Sequence, residues 1–154
     1  MAIADALRLL SRRDLSRAAL TQRLHKRGHS AEAIETACCY CEERGYVDDE
    51  RYGLARATRR LEAQPRGRRA VVIDLRRQGL TETMSNRVAR KAVETLGGEG
   101  SLVTSAVEKW CARHGCPEDW KAAKRCYDYL VRRGFSAAMA RDALRQWLDE
   151  LGMT

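Results

Sequence analysis

Leu24-His25-Lys26-Arg27-Gly28-His29-Ser30, Leu75-Arg76-Arg77-Gln78-Gly79-Leu80-Thr81 and Leu130-Val131-Arg132-Arg133-Gly134-Phe135-Ser136 are three versions of one phrase, Leu-x-x-x-Gly-x-Ser/Thr, spaced 51 and 55 residues apart. The glycine has a mechanical meaning. Just past a helix it takes the left-handed conformation that side chains resist, ending the helix at the C′ position. Counting back from Gly28, Gly79 and Gly134 puts Leu24, Leu75 and Leu130 at C3, and His29, Leu80 and Phe135 at C″, the pair that meets in a Schellman stop. Ser30, Thr81 or Ser136 then suits the N-cap of a following helix. One helix stops and the next starts within about three residues, as in helix-turn-helix units.

Working outward, Ser16 is a candidate N-cap for the helix before the first phrase, and Pro65 and Pro117 suit the first turns of the helices before the other two. Each of those helices is preceded by another. Ile3, Ala6, Leu7 and Leu10, and Val103, Ala106, Val107 and Trp110, fall at i, i+3, i+4 and i+7; the middle counterpart, Leu54, Thr58 and Leu61, is less regular. Helical stripes follow each phrase too: Ile34, Cys38 and Cys41; Met84, Val88, Ala92 and Leu96; Met139, Ala143 and Trp147 with Leu144 and Leu148. The expected fold is all-α, an elongated, curved array of three three-helix repeats over 1–46, 47–98 and 99–154. Gly97-Gly98-Glu99-Gly100 reads as a flexible joint, and no copy holds much core alone.

Composition agrees. The 154 residues are 44% apolar and 32% charged, with 2 prolines, which fits a soluble globular chain and argues against an all-β fold. Apolar runs such as Val71-Val72-Ile73 are far short of the roughly 20 residues a membrane helix needs. Asp5 and Arg8 break any secretory leader, so a cytoplasmic location and six reduced cysteines are expected.

Charge is concentrated. Of the net +8, residues 1–50 contribute −1 and residues 92–154 contribute nothing. Between them, Arg51, Arg56, Arg59, Arg60, Arg66, Arg68, Arg69, Arg76, Arg77, Arg87, Arg90 and Lys91 face only Glu62, Asp74 and Glu82. Eleven of these twelve cations are arginine, whose planar fork matches carboxylate or phosphate, so this stretch is the candidate surface for an acidic protein face or for single- and double-stranded DNA. Reading of the major groove by the third helix of each repeat is expected at most in the middle copy, since Glu32, Glu35, Glu42 and Glu43 would repel phosphate in the first.

Catalytic and metal-binding patterns are missing. There is no glycine-rich phosphate loop, nucleophile elbow or His-Glu-x-x-His, and His25, His29 and His114 read as surface or turn residues. Cys38, Cys39 and Cys41, and Cys111, His114, Cys116 and Cys126, lack zinc-finger spacing. Neither cofactor, metal nor small-molecule substrate is expected. Trp110, Trp120 and Trp147 fall on helical stripes and read as core. Asp48, Asp49 and Glu50 suit a helix N-terminus, and Tyr46 and Tyr52 are expected to pack between the first two repeats.

Over nearly its whole length the chain resembles the bacterial regulatory RecX family. The resemblance rests on Ala6-Leu7-Arg8-Leu9-Leu10, on Arg13-Asp14-Leu15-Ser16-Arg17-Ala18-Ala19-Leu20, and on Gly45-Tyr46-Val47-Asp48-Asp49-Glu50-Arg51-Tyr52. It is extended by Arg66-Gly67, Leu75-Arg76-Arg77-Gln78-Gly79-Leu80 and Tyr129-Leu130-Val131-Arg132-Arg133-Gly134-Phe135-Ser136. Within it Tyr46, Asp48, Asp49, Arg51, Tyr52, Gly28, Gly79, Gly134 and Phe135 read as structural motif residues. The resemblance implies tandem three-helix repeats that bind RecA filaments on DNA, inhibit RecA's ATPase, strand exchange and coprotease activity, and have no catalysis of their own. Gly53 departs from the family's usual alanine, at about 1 kcal/mol for a glycine within a helix, and the cysteines are more numerous than is usual. The rival reading is a DNA-binding repressor or architectural protein acting without RecA; a thiol or zinc sensor is a third.

Overall fold

A computed structural model describes residues 1–150 and Gly152; residues 151, 153 and 154, at the end of the expected third repeat, lie outside the described set. Among the described residues there are nine α-helices and no strand: α1 (Ala2–Arg12), α2 (Arg17–Lys26), α3 (Ala31–Glu43), α4 (Asp49–Ala63), α5 (Arg68–Arg77), α6 (Glu82–Thr95), α7 (Gly98–His114), α8 (Trp120–Arg132) and α9 (Ala137–Glu150). The chain is a tandem array of three-helix units.

The repeated phrase makes the stops and starts its chemistry demands. Gly28, Gly79 and Gly134 have φ of 85°, 92° and 92°. The amides of His29, Leu80 and Phe135 donate back to the carbonyls of Leu24, Leu75 and Leu130 at 3.4, 3.2 and 3.2 Å, closing three Schellman motifs. Ser30, Thr81 and Ser136 then accept from the amides of Ala33, Met84 and Met139 as N-caps. Ser16 caps α2 in the same way, accepting from Ala19. The prolines do not open helices: α5 is capped by Gly67 and α8 by Asp119, leaving Pro65 and Pro117 in the preceding connections.

Two apolar cores form. One joins α1, α2 and α3 through Ala6, Leu20, Leu24, Ala37, Cys38 and Cys41. The other runs without interruption through α4 to α9, including Leu61, Leu75, Val88, Val107, Trp110, Leu130 and Leu144. The first repeat therefore has a core of its own, while the second and third share one. This overturns the flexible joint at Gly97–Gly100. Only Gly97 stands outside the helices there, in the left-handed region as the N-cap of α7, and Glu99 lies in the first helical turn 3.8 Å from Arg68.

Several apolar stripes rotate from their expected positions. In α1, Leu9 is buried and Leu7 exposed. In α4 the buried face is Gly53, Ala57 and Leu61, two small residues and a leucine, in place of Leu54, Thr58 and Leu61. Trp110 is buried and Trp147 half-buried against the large core, but Trp120 is 52% exposed at the first turn of α8. His29 is no turn filler: its Nε2 lies 2.7 Å from Asp5 Oδ2, with both side chains largely covered. The total surface, 9442 Å², is about a fifth larger than size scaling gives for a compact monomer of 17.4 kDa. The shape is extended.

The repeats are joined by their middle helices, end to end. The C-terminal end of α5 meets the N-terminal end of α2, where the buried Ser16 hydroxyl donates to the Gln78 carbonyl at 2.8 Å and Gly79 abuts Ala18. The C-terminal end of α8 meets the N-terminal end of α5, where the Gly67 amide donates to the Arg133 carbonyl at 2.9 Å and Gly134 abuts Ala70. Carbonyl ends thus face amide ends, and the helix dipoles run in series.

Candidate partner-binding surface

The segment Gly45–Tyr52 is the joint between the first and second repeats, and nearly every residue in it has a task. Gly45 ends α3 at φ 72°, and Val47 enters the first core. Asp48 caps α4 by accepting from the Arg51 amide, and Arg51 Nη2 donates to the Gly45 carbonyl at 2.9 Å. Asp49 reaches across to α2 and accepts from the Arg17 amide at 2.8 Å, satisfying an orphan donor in another repeat. Tyr52 Oη donates to Gln78 Oε1 at 3.0 Å. The contacts described for these residues lie within the chain; Tyr46, expected to pack between the repeats, is instead 49% exposed.

The cations that follow divide into two groups. Arg56 is half-buried and forks onto Asp74, Nε to Oδ2 at 2.8 Å and Nη2 to Oδ1 at 3.1 Å, with Arg60 behind it at 3.8 Å. Burial pushes the Asp74 carboxyl up, but Arg56, Arg60 and Arg66 outweigh it and hold that carboxyl below its ordinary value. On α6, Arg87 and Lys91 lie 3.4 and 2.9 Å from Glu50 of α4, and the Lys91 hydrogen bond leads in lowering the Glu50 pKa. Arg68 faces Glu99. Arg59, Arg69, Arg76, Arg77 and Arg90 are exposed and, among the described residues, make no ion pair. The fold sets these pairings across sequence distance: Asp74 lies 18 residues from Arg56, and Glu50 lies 41 from Lys91.

Arg66 has an unusual setting, half-buried where α4 gives way to α5. Its Nη2 donates to Gln64 Oε1 at 3.3 Å, its buried Nε has no partner, and Arg133 Nη1 donates to the same Gln64 oxygen at 2.8 Å. Burial first, then Arg60 and Arg133, push the Arg66 pKa down. Gln64 and Arg133 were not marked by charge counting. The signal available was Gln64-Pro65-Arg66, where the proline marks a helix start and Arg66 counts among the cations but nothing marks Gln64 as their shared acceptor.

All six cysteines are free thiols. Cys38, Cys41 and Cys126 are buried, and burial lifts the Cys126 thiol to about 12, so it packs as a small hydrophobe. Among the described residues no three metal-ligating side chains come together, and no helix is long and apolar enough to cross a membrane.

The fold and surface define a class: an all-helical protein of tandem three-helix units with its positive charge carried by the middle one. Residues 2–41 match the first three-helix domain of RecX. The chain is 36% identical over 140 residues to the regulatory protein RecX of Syntrophotalea carbinolica, covering 88% of each, and 32% identical over 153 residues to that of Thermobifida fusca, covering 97% of this chain and 80% of the relative. The crystal structure of RecX from Lactobacillus salivarius superposes with a TM-score of 0.80 at 16% identity, over 97% of this chain and 95% of that one, which supports the fold. The chain belongs to the RecX family of regulatory proteins.

Proposed function

We propose that this protein is a regulator without catalysis of its own, which binds the RecA filament on DNA and lowers RecA's ATPase, strand-exchange and coprotease activities, and thereby modulates DNA repair and the SOS response. The observation that carries this reading is similarity over nearly the whole chain to proteins named regulatory protein RecX. The extended array suits a filament, because three units in line can reach neighbouring subunits. The positive middle unit suits the acidic partners in such a filament, RecA's own surface and the phosphates of single- or double-stranded DNA without sequence preference. Regulation follows by linkage: a protein that favours an inactive filament state or a filament end lowers turnover in proportion to that preference.

The test is the ATPase rate of preformed RecA filaments on single-stranded DNA as the protein is titrated in. A fall at well below one molecule per RecA marks end-capping or cooperative disassembly; a fall only near saturation marks occupancy along the filament. Reversing the three free arginines of α5, Arg69→Glu, Arg76→Glu and Arg77→Glu, is expected to weaken inhibition roughly tenfold or more while the circular dichroism stays helical. Unchanged inhibition would remove the patch from the mechanism. No effect of the wild-type protein would leave DNA binding without RecA as the surviving reading.

A further inference from the structure

The joint between the second and third repeats gathers more positive charge than its structural role requires. Two guanidinium groups, Arg66 and Arg133, converge on one neutral oxygen, Gln64 Oε1. The neighbouring Arg60 lies 3.8 Å from Asp74. The nearby carboxylate, Asp74, already has both oxygens engaged by Arg56. Arg66 Nε is buried without a partner, and a buried donor left unpaired is destabilising.

The helix dipole favours Arg60, in the last turn of α4, and Arg133, at the C-cap of α8, but not Arg66. Arg66 stands just before α5, whose first turn has no acid and whose cap is a glycine, so no side chain of that turn offsets its charge, and the next cation, Arg68, already faces Glu99. Beyond Gln64 and Arg133 the surface opens into a hollow of about 130 Å³ whose further cations are Lys109 and Arg113 and whose lining has no carboxylate. The C-terminal ends of α4 and α7 supply only about half a negative charge each there.

We propose that Arg66 and Arg133 form a phosphate-binding site at this joint, which takes a phosphodiester of a nucleic-acid backbone, and that Gln64 Oε1 occupies the place of the phosphate oxygen until the strand arrives. A guanidinium fork gives its strongest hydrogen bonds to an anionic oxygen, and a phosphodiester offers two where Gln64 offers one neutral acceptor. Continuation of the cations into the hollow past Arg133 favours a polyanion over a single carboxylate side chain. The site deepens the filament reading above and rests on it for the identity of the strand.

The experiment is fluorescence anisotropy of labelled oligothymidylate with the full-length protein and no RecA, over a range of salt. The Arg66→Gln/Arg133→Gln variant is expected to bind about tenfold more weakly or worse, with a salt slope lower by about 1.4, the value for two lost single-strand phosphate contacts. Arg125→Gln/Arg141→Gln, which removes the same charge from α8 and α9, serves as the comparison and should lose less. Gln64→Glu places a permanent carboxylate between the two guanidiniums; it should melt at a higher temperature and lose oligothymidylate binding. That variant keeps the test decisive if the double substitution fails to fold. Wild-type affinity in Gln64→Glu, or equal losses in the joint variant and the comparison variant, would overturn the site. So would a wild-type protein that binds polyglutamate but not oligothymidylate, which would assign the cluster to an acidic protein. RecA ATPase inhibition is read separately: if it is absent while joint-dependent strand binding persists, the filament reading falls and the phosphate site stands.

Discussion

Gly53 sits in the middle of α4, where replacing alanine by glycine costs about 1 kcal/mol of helix propensity. A Cβ there would lie 2.7 Å from Leu80 Cδ2, 3.3 Å from Val88 Cγ1 and 3.4 Å from Leu75 Cδ2, all on core side chains that are buried. Leu80 would have to move within a packed interior, and overpacking of that kind costs about 1–3 kcal/mol. The packing loss outweighs the propensity gain, so Gly53→Ala is expected to lose about 1 kcal/mol net, read as a lower urea midpoint at constant slope. A higher midpoint would show that Leu80 yields freely. From the sequence this residue reads only as a cost. What it gains is space for a leucine 27 positions away, which local propensity does not report. Asp49 was legible in half: its place in a first turn was readable, but its hydrogen bond to the Arg17 amide belongs to another repeat.

Among the helices, legibility follows the range of the interaction. Schellman stops and serine or threonine caps close within five residues, so the ends of α2, α5 and α8 and the starts of α3, α6 and α9 could be placed from the phrases alone. The same reasoning failed at Pro65, where the helix is capped at Gly67 against the Arg133 carbonyl of the neighbouring repeat, and at Pro117 and Gly97–Gly100, where α8 and α7 start at the local caps Asp119 and Gly97. It also missed that the three phrases have different surroundings. Gly28 has open space around it, whereas a side chain on Gly79 meets Ala18 and one on Gly134 meets the backbone nitrogen of Ala70 at 2.7 Å. All three glycines have positive φ, so alanine at any of them costs about 1–2 kcal/mol in backbone strain. The end-to-end junctions add a steric cost of about 1–3 kcal/mol at Gly79 and Gly134 only. Chemical denaturation should therefore rank Gly28→Ala as the mildest of the three substitutions by at least about 1 kcal/mol. Equal losses would mean that the middle helices are not pressed together end to end.

At the scale of the whole molecule, the array divides at its first joint and not at its glycine-rich second one. Charge counting located the positive middle unit correctly but could not show that Asp74 and Glu50 engage Arg56, Lys91 and Arg87 and leave Arg59, Arg69, Arg76, Arg77 and Arg90 as the free part of the field. Nor could periodicity show that the second and third repeats share one core, because which apolar stripes meet depends on the angle between units. The consequence is a difference in stability. The first core contains neither phenylalanine nor tryptophan, whereas the second buries Trp110 and Phe135, so the first gains less from apolar burial. A unit of some forty residues also stands near the lower limit for folding alone. What ties it to the rest includes the Ser16–Gln78 and Arg17–Asp49 hydrogen bonds. The buried cysteines report each core separately, Cys38 and Cys41 the first and Cys126 the second. Pulsed thiol labelling along a urea series, read by mass spectrometry, should show Cys38 and Cys41 becoming reactive at lower urea than Cys126. Ser16→Ala, which loses a helix cap as well as the bond to Gln78, should lower the Cys38 midpoint by the equivalent of about 1 kcal/mol or more and leave that of Cys126 nearly in place. Coincident midpoints in both proteins would mean that the joint couples the two cores into one cooperative unit, and that the molecule meets its partner as a single rigid body.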